Sequence, residues 1–517
     1  MIIKIILIVV FFASMIGVGA YSKKKATNVN NFVLGGHTAG PWLTAFSYGT
    51  SYFSAVIFVG YAGQFGWKFG LASTWIGLGN ALLGSLLAWI VLGRRTRIMT
   101  NHIKSSTMPS YFGKRYDSRA LRIGASIIAF IFLIPYTASV YNGLSRLFEM
   151  AFGVPYEICI LVMAVLTGIY VILGGYMATT INDFIQGIIM LIGICAVVIS
   201  VINGKGGFTE ALVGLAAVPA DETAVVQASG VYSSFFGADP LNLLSVIILT
   251  SLGTWGLPQM VNKFYAIKSE KSVKTGAIVS TFFAVIVAGG SYFLGGFARL
   301  FGGNPDIYAE NGSVVYDNII PSMLQNLPDL LIGIVIVLVL SASMSTLSSL
   351  VLTSASTVTL DIVKKNIVKK MDDKRQLLII RIFIVFFVAL SVIIAWNKTT
   401  FIAQLMGISW GALAGAFLAP FLYGLYWKGV TKASVWASFV CGVGLTVSNL
   451  IWNFLPSPIV AGALAMIAGL VIVPIVSLIT PKMNKDKVDE IFNCYNKVVE
   501  VPKKMYLEDD EDIAKED

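Results

Sequence analysis

Apolar residues in this chain run on in long uninterrupted stretches instead of alternating with polar ones at strand spacing. Thirteen such stretches of about 20 to 30 residues can be marked, at 2–21, 43–63, 71–92, 121–147, 155–174, 181–203, 241–262, 275–300, 328–357, 376–396, 400–426, 433–454 and 457–480. At ~1.5 Å rise per residue each can cross a ~30 Å hydrocarbon core. The runs are too long and continuous for barrel strands, and a lipid-exposed backbone must bond within its own segment, so helices are predicted throughout. An odd count places the termini on opposite sides.

Composition agrees: 56% of the 517 residues are apolar and 12% charged, with a mean hydropathy of +0.79. That mixture cannot clothe a water-soluble surface, which excludes a secreted enzyme, a nucleic-acid binder and a disordered scaffold. The reading is an all-α, multi-pass protein of the cell membrane, with a transmembrane domain over 1–480 and a charged tail over 481–517. The net charge of +10 then becomes a topology signal. Of the 37 Lys and Arg residues only Lys4, Lys68, Arg146, Lys205, Arg299 and Lys398 fall on one side. The rest cluster on the other, as at Lys23–Lys25, Arg94–Arg122, Lys263–Lys274, Lys364–Arg381, Lys428, Lys432 and after Pro481. The basic side is expected to be cytoplasmic, the N-terminus external and the C-terminus internal. A cleaved signal peptide is the competing account of the first stretch, but Lys23-Lys24-Lys25 behind it favours an external N-terminus. The external loops 204–240 and 301–327 are expected to act as partial lids, and the tail to be solvated. Cys159, Cys195, Cys441 and Cys494 have no short spacing that would suggest a metal site or a disulfide framework.

No phosphate-binding loop, strand–helix alternation or potassium-type filter sequence is present, and the only histidines, His37 and His102, lie outside the stretches. The chemistry must come from the helices. In the ninth stretch Ser345 and Thr346 share a face with Ala342, and Ser348 and Ser349 continue it one turn on. Such a ladder of oxygens suits a hard alkali cation, although small hydroxylated residues also let helices pack closely. The second stretch carries a polar run in mid-crossing, Thr44 to Ser54, with Gly49 as the expected break. The seventh is interrupted at Gly253, Gly256 and Pro258. Broken helices expose carbonyls at the membrane midplane, and two breaks five helices apart suggest an inverted repeat of helices 2–6 and 7–11, over about 43–426. Ordinary kinks are the alternative. Asp183, near the cytoplasmic end of the sixth stretch, is either interfacial and solvated or inward-facing; no Lys or Arg lies within that stretch, so a sodium ion is the expected partner in the second case.

Several segments together resemble the sodium:solute symporter family over about residues 32–480. They are Thr107-Met108-Pro109-Ser110-Tyr111-Phe112, Gly174-Gly175-Tyr176-Met177-Ala178 with Asp183-Phe184-Ile185-Gln186-Gly187, Met344-Ser345-Thr346-Leu347-Ser348, and Trp410-Gly411-Ala412 with Pro420 and Tyr426-Trp427-Lys428. The resemblance implies a leucine-transporter-like fold with a leading extra helix and sodium as coupling ion. It implies a first sodium site from the carbonyls of Thr50, Phe53 and Ala342 with the hydroxyls of Ser345 and Thr346. A second site, found in some members, would use Asp183, Ser345, Ser348 and Ser349. Substrate contacts are expected at Ser54, Tyr136, Trp255, Gln259 and Trp410, with bundle packing or an interfacial belt as the other reading of Tyr136, Trp255 and Trp410.

The implied activity is sodium-coupled import of a small polar solute by alternating access, with no enzymatic step and no partner protein indicated. A carboxylate such as an amino acid or pantothenate is expected, because broken helices offer N–H groups to an anionic head. A sugar or sialic acid is the alternative solute; a transporter-like sensor or a channel is the alternative class. Within the family, Tyr136-Thr137-Ala138-Ser139 and Gly256-Leu257-Pro258-Gln259 resemble the sodium/proline and sodium/pantothenate branches, whereas Tyr52 stands where proline symporters carry an aspartate and Thr250 where they carry a tryptophan, which counts against proline as the solute.

Overall fold

A computed structural model describes residues 2–23, 28–37, 39–268, 271–368, 371–396 and 402–496, and the described parts of all thirteen apolar stretches are helical apart from short breaks. Among these residues there is no strand, only two isolated bridges. Among the described residues ten helices are long and apolar enough to cross a membrane, or eleven if Pro240–Gly256 and Pro258–Tyr265, bent by 46°, form one crossing. The difference from thirteen lies in where the chain turns. Val56–His102 is continuous by helix assignment over 47 residues, yet it reverses at Gly70, whose φ of 63° and ψ of −142° belong to no helix. Tyr156–Asn203 likewise joins the fifth and sixth stretches through the single residue Gly175 (φ 55°, ψ −147°). A side chain there would lie 2.7 Å from the Phe32 carbonyl oxygen, so glycine is required twice over.

Burial sorts the helices. The helical windows within Asp329–Lys365 and Ile402–Tyr426 are 83% and 89% buried, against 22% for Ile3–Lys23, so the first two are central and the last is peripheral. Close backbone contact sets the spacing of several helices. A Cβ on Gly66 would come within 1.9 Å of the Gly295 carbonyl, and one on Gly295 within 2.0 Å of that of Ala62. Small residues at such crossings are how helices pack where lipid supplies no hydrophobic drive.

The 204–240 loop is fastened to the bundle. Arg299 bonds Asp221 at 2.6 Å and the Trp67 carbonyl at 2.7 Å, and lies over the rings of Tyr232 and Trp67. The tail corrects a sequence expectation, because it packs as far as it is described. Helix Lys485–Phe492 buries Val488 and Phe492, Cys494 follows them inward, and Lys428–Asp489 (2.6 Å) and Lys487–Asp117 (2.8 Å) pin it to the basic face. All four cysteines are free. Lys24, Lys25, Lys369, Lys370, Lys398 and everything after residue 496, including the acidic run 507–512, lie outside the described residues.

Candidate ion and solute sites

The second stretch breaks four residues later than Gly49. Helix Pro41–Tyr52 ends at Phe53 (φ −85°, ψ 121°), and the next helix starts from Ser54, whose carbonyl accepts from the N–H groups of Ile57 (3.0 Å) and Phe58 (3.1 Å). In an unbroken helix the carbonyls of Thr50 and Ser51 would accept from residues 54 and 55; the break releases them. Gly49 stays helical and serves packing, since a Cβ there would meet the Phe283 ring at 2.5 Å.

The released carbonyls face the 329–357 helix. The Ser345 hydroxyl donates to Thr50 O at 2.9 Å and lies 3.1 Å from Ala342 O. The Thr346 hydroxyl has Ala342 O at 3.1 Å, Ser51 O and Phe53 O each at 3.3 Å, and Thr50 O at 3.5 Å. All five residues anticipated for a first sodium site therefore converge, with Ser51 added. Two hydroxyl protons serve four carbonyls, each of which has two lone pairs. A buried surplus of acceptors is costly when left unmet and is the environment that a hard cation satisfies.

Asp183 faces inward, fully buried. Its partner is an ammonium: Lys263 Nζ lies 3.4 Å from Asp183 Oδ2, 2.7 Å from Ser47 Oγ and 3.1 Å from Ser349 Oγ, while the Ser47 hydroxyl donates to Asp183 at 2.5 Å. The other Asp183 oxygen has no hydrogen-bond partner among the described residues. Lys263, counted with the cytoplasmic loops from sequence, is 2% exposed on helix Pro258–Tyr265. Of the residues anticipated for a second sodium, Asp183 and Ser349 meet at this ammonium. Ser345 belongs to the first cluster, and Ser348 turns back to its own helix, donating to Ser345 O at 2.9 Å. Ser51 joins the clusters, because its hydroxyl is 2.9 Å from that of Ser349.

The anticipated solute residues separate into groups. Tyr136 and Trp410 pack edge to face at 5.7 Å, Tyr52 adds its ring 6.3 Å from Trp410, and the Tyr136 hydroxyl faces Ser54 and the Trp410 indole. Neither the Tyr136 hydroxyl nor the Trp410 N–H makes a hydrogen bond of ordinary geometry among the described residues. All four residues are at most 5% exposed, so they form a buried cluster. Trp255 is committed elsewhere, donating to Leu83 O at 2.9 Å. Gln259, across the bend at Leu257, lines a narrow cavity with Asn262, Lys263 and Ser349, and neither its amide N nor its O has a partner among the described residues.

The sodium:solute symporter family model matches residues 32–442. The chain belongs to the sodium:solute symporter family. The osmoregulated proline transporter OpuE of Bacillus subtilis is 29% identical over 92% of this chain and 94% of its own. The sodium/proline symporter of Staphylococcus aureus is 28% identical over 96% of each. In fold the chain is similar to a sodium-coupled sialic acid symporter solved in a substrate-bound, outward-open state, with a TM-score of 0.73, 17% identity and 93% and 99% of the two chains covered. A nucleobase-cation-symport-1 family transporter in a closed conformation gives a TM-score of 0.52 at 14% identity, covering 90% of this chain and 99% of its own. The fold is thus the leucine-transporter-like one, sodium is the symporter's coupling ion, its cargo is a small solute, and it is a multi-pass membrane protein.

Sequence reasoning missed Lys263, Ser47 and Ser51 as members of the polar centre. The available signal was a lysine within the half-helix opened by Pro258, together with a carboxylate in want of a cation. It also missed Asp361, 2% exposed, which accepts a short hydrogen bond from Thr107, the residue that caps helix Met108–Arg115.

Proposed function

We propose that this symporter binds sodium between the broken 41–69 segment and the 329–357 helix and carries a small amino-acid-type carboxylate, with proline the first solute to test. The convergence of the three carbonyls of Thr50, Ser51 and Phe53 on the Thr346 hydroxyl carries the reading, because ordinary helix packing accounts only for its bond to Ala342 O four residues back. The ion would be held by the carbonyls of Thr50, Phe53 and Ala342 and the hydroxyls of Ser345 and Thr346. The solute would lie beside it against Ser54, Tyr136 and Trp410, on the other side of the opened turn. Tyr136 O–H and Trp410 N–H, neither making a hydrogen bond of ordinary geometry among the described residues, are the donors for its carboxylate, and the Tyr52 ring covers its apolar body. The names of the two relatives support proline. Tyr52 in place of an aspartate narrows the choice to solutes that need no second buried charge at that point.

The ends of the molecule support an orientation. Lys104, Lys114, Lys364 and Lys365 line a cavity of about 390 Å³ at one end, which is the cytoplasmic end by the positive-inside rule. On that reading the N-terminus lies outside and the C-terminus inside. Uptake of radiolabelled proline into proteoliposomes under an imposed inward sodium gradient tests the reading. Sodium-dependent accumulation is expected; flux that ignores sodium, or accumulation of sugars alone, would overturn it.

A further inference from the structure

Lys263 stands at a place built for a cation. Its nitrogen is surrounded by oxygens from three other segments: Ser47 of helix Pro41–Tyr52, Asp183 of the sixth stretch and Ser349 of the 329–357 helix, at 2.7, 3.4 and 3.1 Å. The Tyr176 ring closes the shell, 5.4 Å from the nitrogen. Hydroxyls and one carboxylate form a donor set for a hard cation. The charges already balance, one buried carboxylate against one buried ammonium. A sodium ion added to this shell would leave a net positive charge in a dry interior, which is prohibitive without a further anion.

Resting on the sodium-symport reading above, we propose that the Lys263 ammonium is a tethered replacement for a second sodium ion, so that this symporter takes up one sodium per cycle, at the Ser345–Thr346 cluster alone. The tether also places the cation where it can report on the first site. Lys263 sits on the half-helix that leaves the bend at Leu257, and the 2.9 Å contact between the hydroxyls of Ser349 and Ser51 leads from its shell to the Ser51 carbonyl, 3.3 Å from Thr346 Oγ1. Movement of the half-helix therefore withdraws a charge from the shell that abuts the sodium site, and the charge stays with the protein instead of being released to the cytoplasm.

The test counts sodium ions with no solute present. Equilibrium binding of radioactive sodium to the purified, detergent-solubilised full chain should give one ion per chain for wild type. Lys263→Ala, which empties the shell and leaves Asp183 uncompensated, should give two, with a Hill coefficient rising from near one to near two. Lys263→Ala combined with Asp183→Asn should return to one. Lys263→Gln, which preserves most of the side-chain volume, provides a second route to the vacated shell if Lys263→Ala does not fold, and should also exceed one ion. Two ions in wild type would overturn the inference and leave symport standing, as would a folded Lys263→Ala or Lys263→Gln protein that still binds one. No binding in wild type would remove the sodium reading itself and this inference with it.

Discussion

Thr346→Val is the most direct probe of the proposed sodium site, because it removes one oxygen while keeping the branched shape that the helix already accommodates. Thr346 Oγ1 is the atom on which the carbonyls of Thr50, Ser51, Phe53 and Ala342 converge at 3.1–3.5 Å. It is fully buried, so water cannot stand in for it. Losing a buried hydrogen-bonding group that serves a charge costs about 1.5–3 kcal/mol, which corresponds to a roughly 10- to 150-fold higher sodium concentration for half-maximal rate. Thr346→Ser keeps the oxygen and should stay within a few-fold of wild type.

The assay is the initial rate of proline uptake into proteoliposomes as a function of external sodium at fixed solute. A sodium titration of thermal stability in the absence of solute reads binding independently of transport, since an ion that binds only the folded state raises Tm as its concentration passes its Kd. The Thr346→Val curve should move to higher sodium in both experiments by the same factor. A folded Thr346→Val protein whose sodium dependence matches wild type in both would refute the argument that the opened turn at Phe53 exists to present carbonyls to an ion.

Tyr136→Phe should raise the KM for proline about 10-fold, the loss of one hydrogen bond, and leave sodium binding without solute unchanged; an altered sodium titration with an unaltered KM would contradict the placement of the solute. Gly66→Ala should lower stability by about 3 kcal/mol, read as a lower Tm or absence from the membrane, because its Cβ would overlap the Gly295 carbonyl; an unchanged Tm would show that the crossing can open. Asp317, in the 301–327 loop, has its carboxyl pushed up to about 6 by burial, against the opposing pull of the Ile402 N–H and Arg146. A carboxyl whose folded-state pKa is raised contributes stability that is complete below the unfolded value and is lost as pH rises through the folded one. From pH 4 to pH 7 it should therefore cost up to about 3 kcal/mol, and Asp317→Asn should flatten that part of the Tm profile; a variant with the wild-type slope would assign the slope elsewhere.

What could be read from the sequence and what could not divide along a physical line. The oxygen ladder of Ser345, Thr346, Ser348 and Ser349 and the polar run from Thr44 to Ser54 are local features: helix periodicity fixes which residues share a face, and a run of small polar residues in mid-membrane requires a reason. The break itself was misplaced by four residues, since glycine is only one way to open a helix. Here the opened turn is held from outside, by Ser345 and Thr346 on a helix about 295 residues further on. The docking of residues 485–495 was hidden because its charged residues outnumber Val488, Phe492 and Cys494, although these three suffice to bury one face of two helical turns. Lys263 was lost for a related reason. A count of basic residues assigns topology correctly only for those that remain in water, and Lys263 lies a single residue past the expected end of its crossing. What takes it inward is a carboxylate 80 positions earlier in the chain. Neither residue would be stable there alone, so each is intelligible only once the fold has brought the other to it, and the ion count of the symporter follows from that pairing and not from either residue.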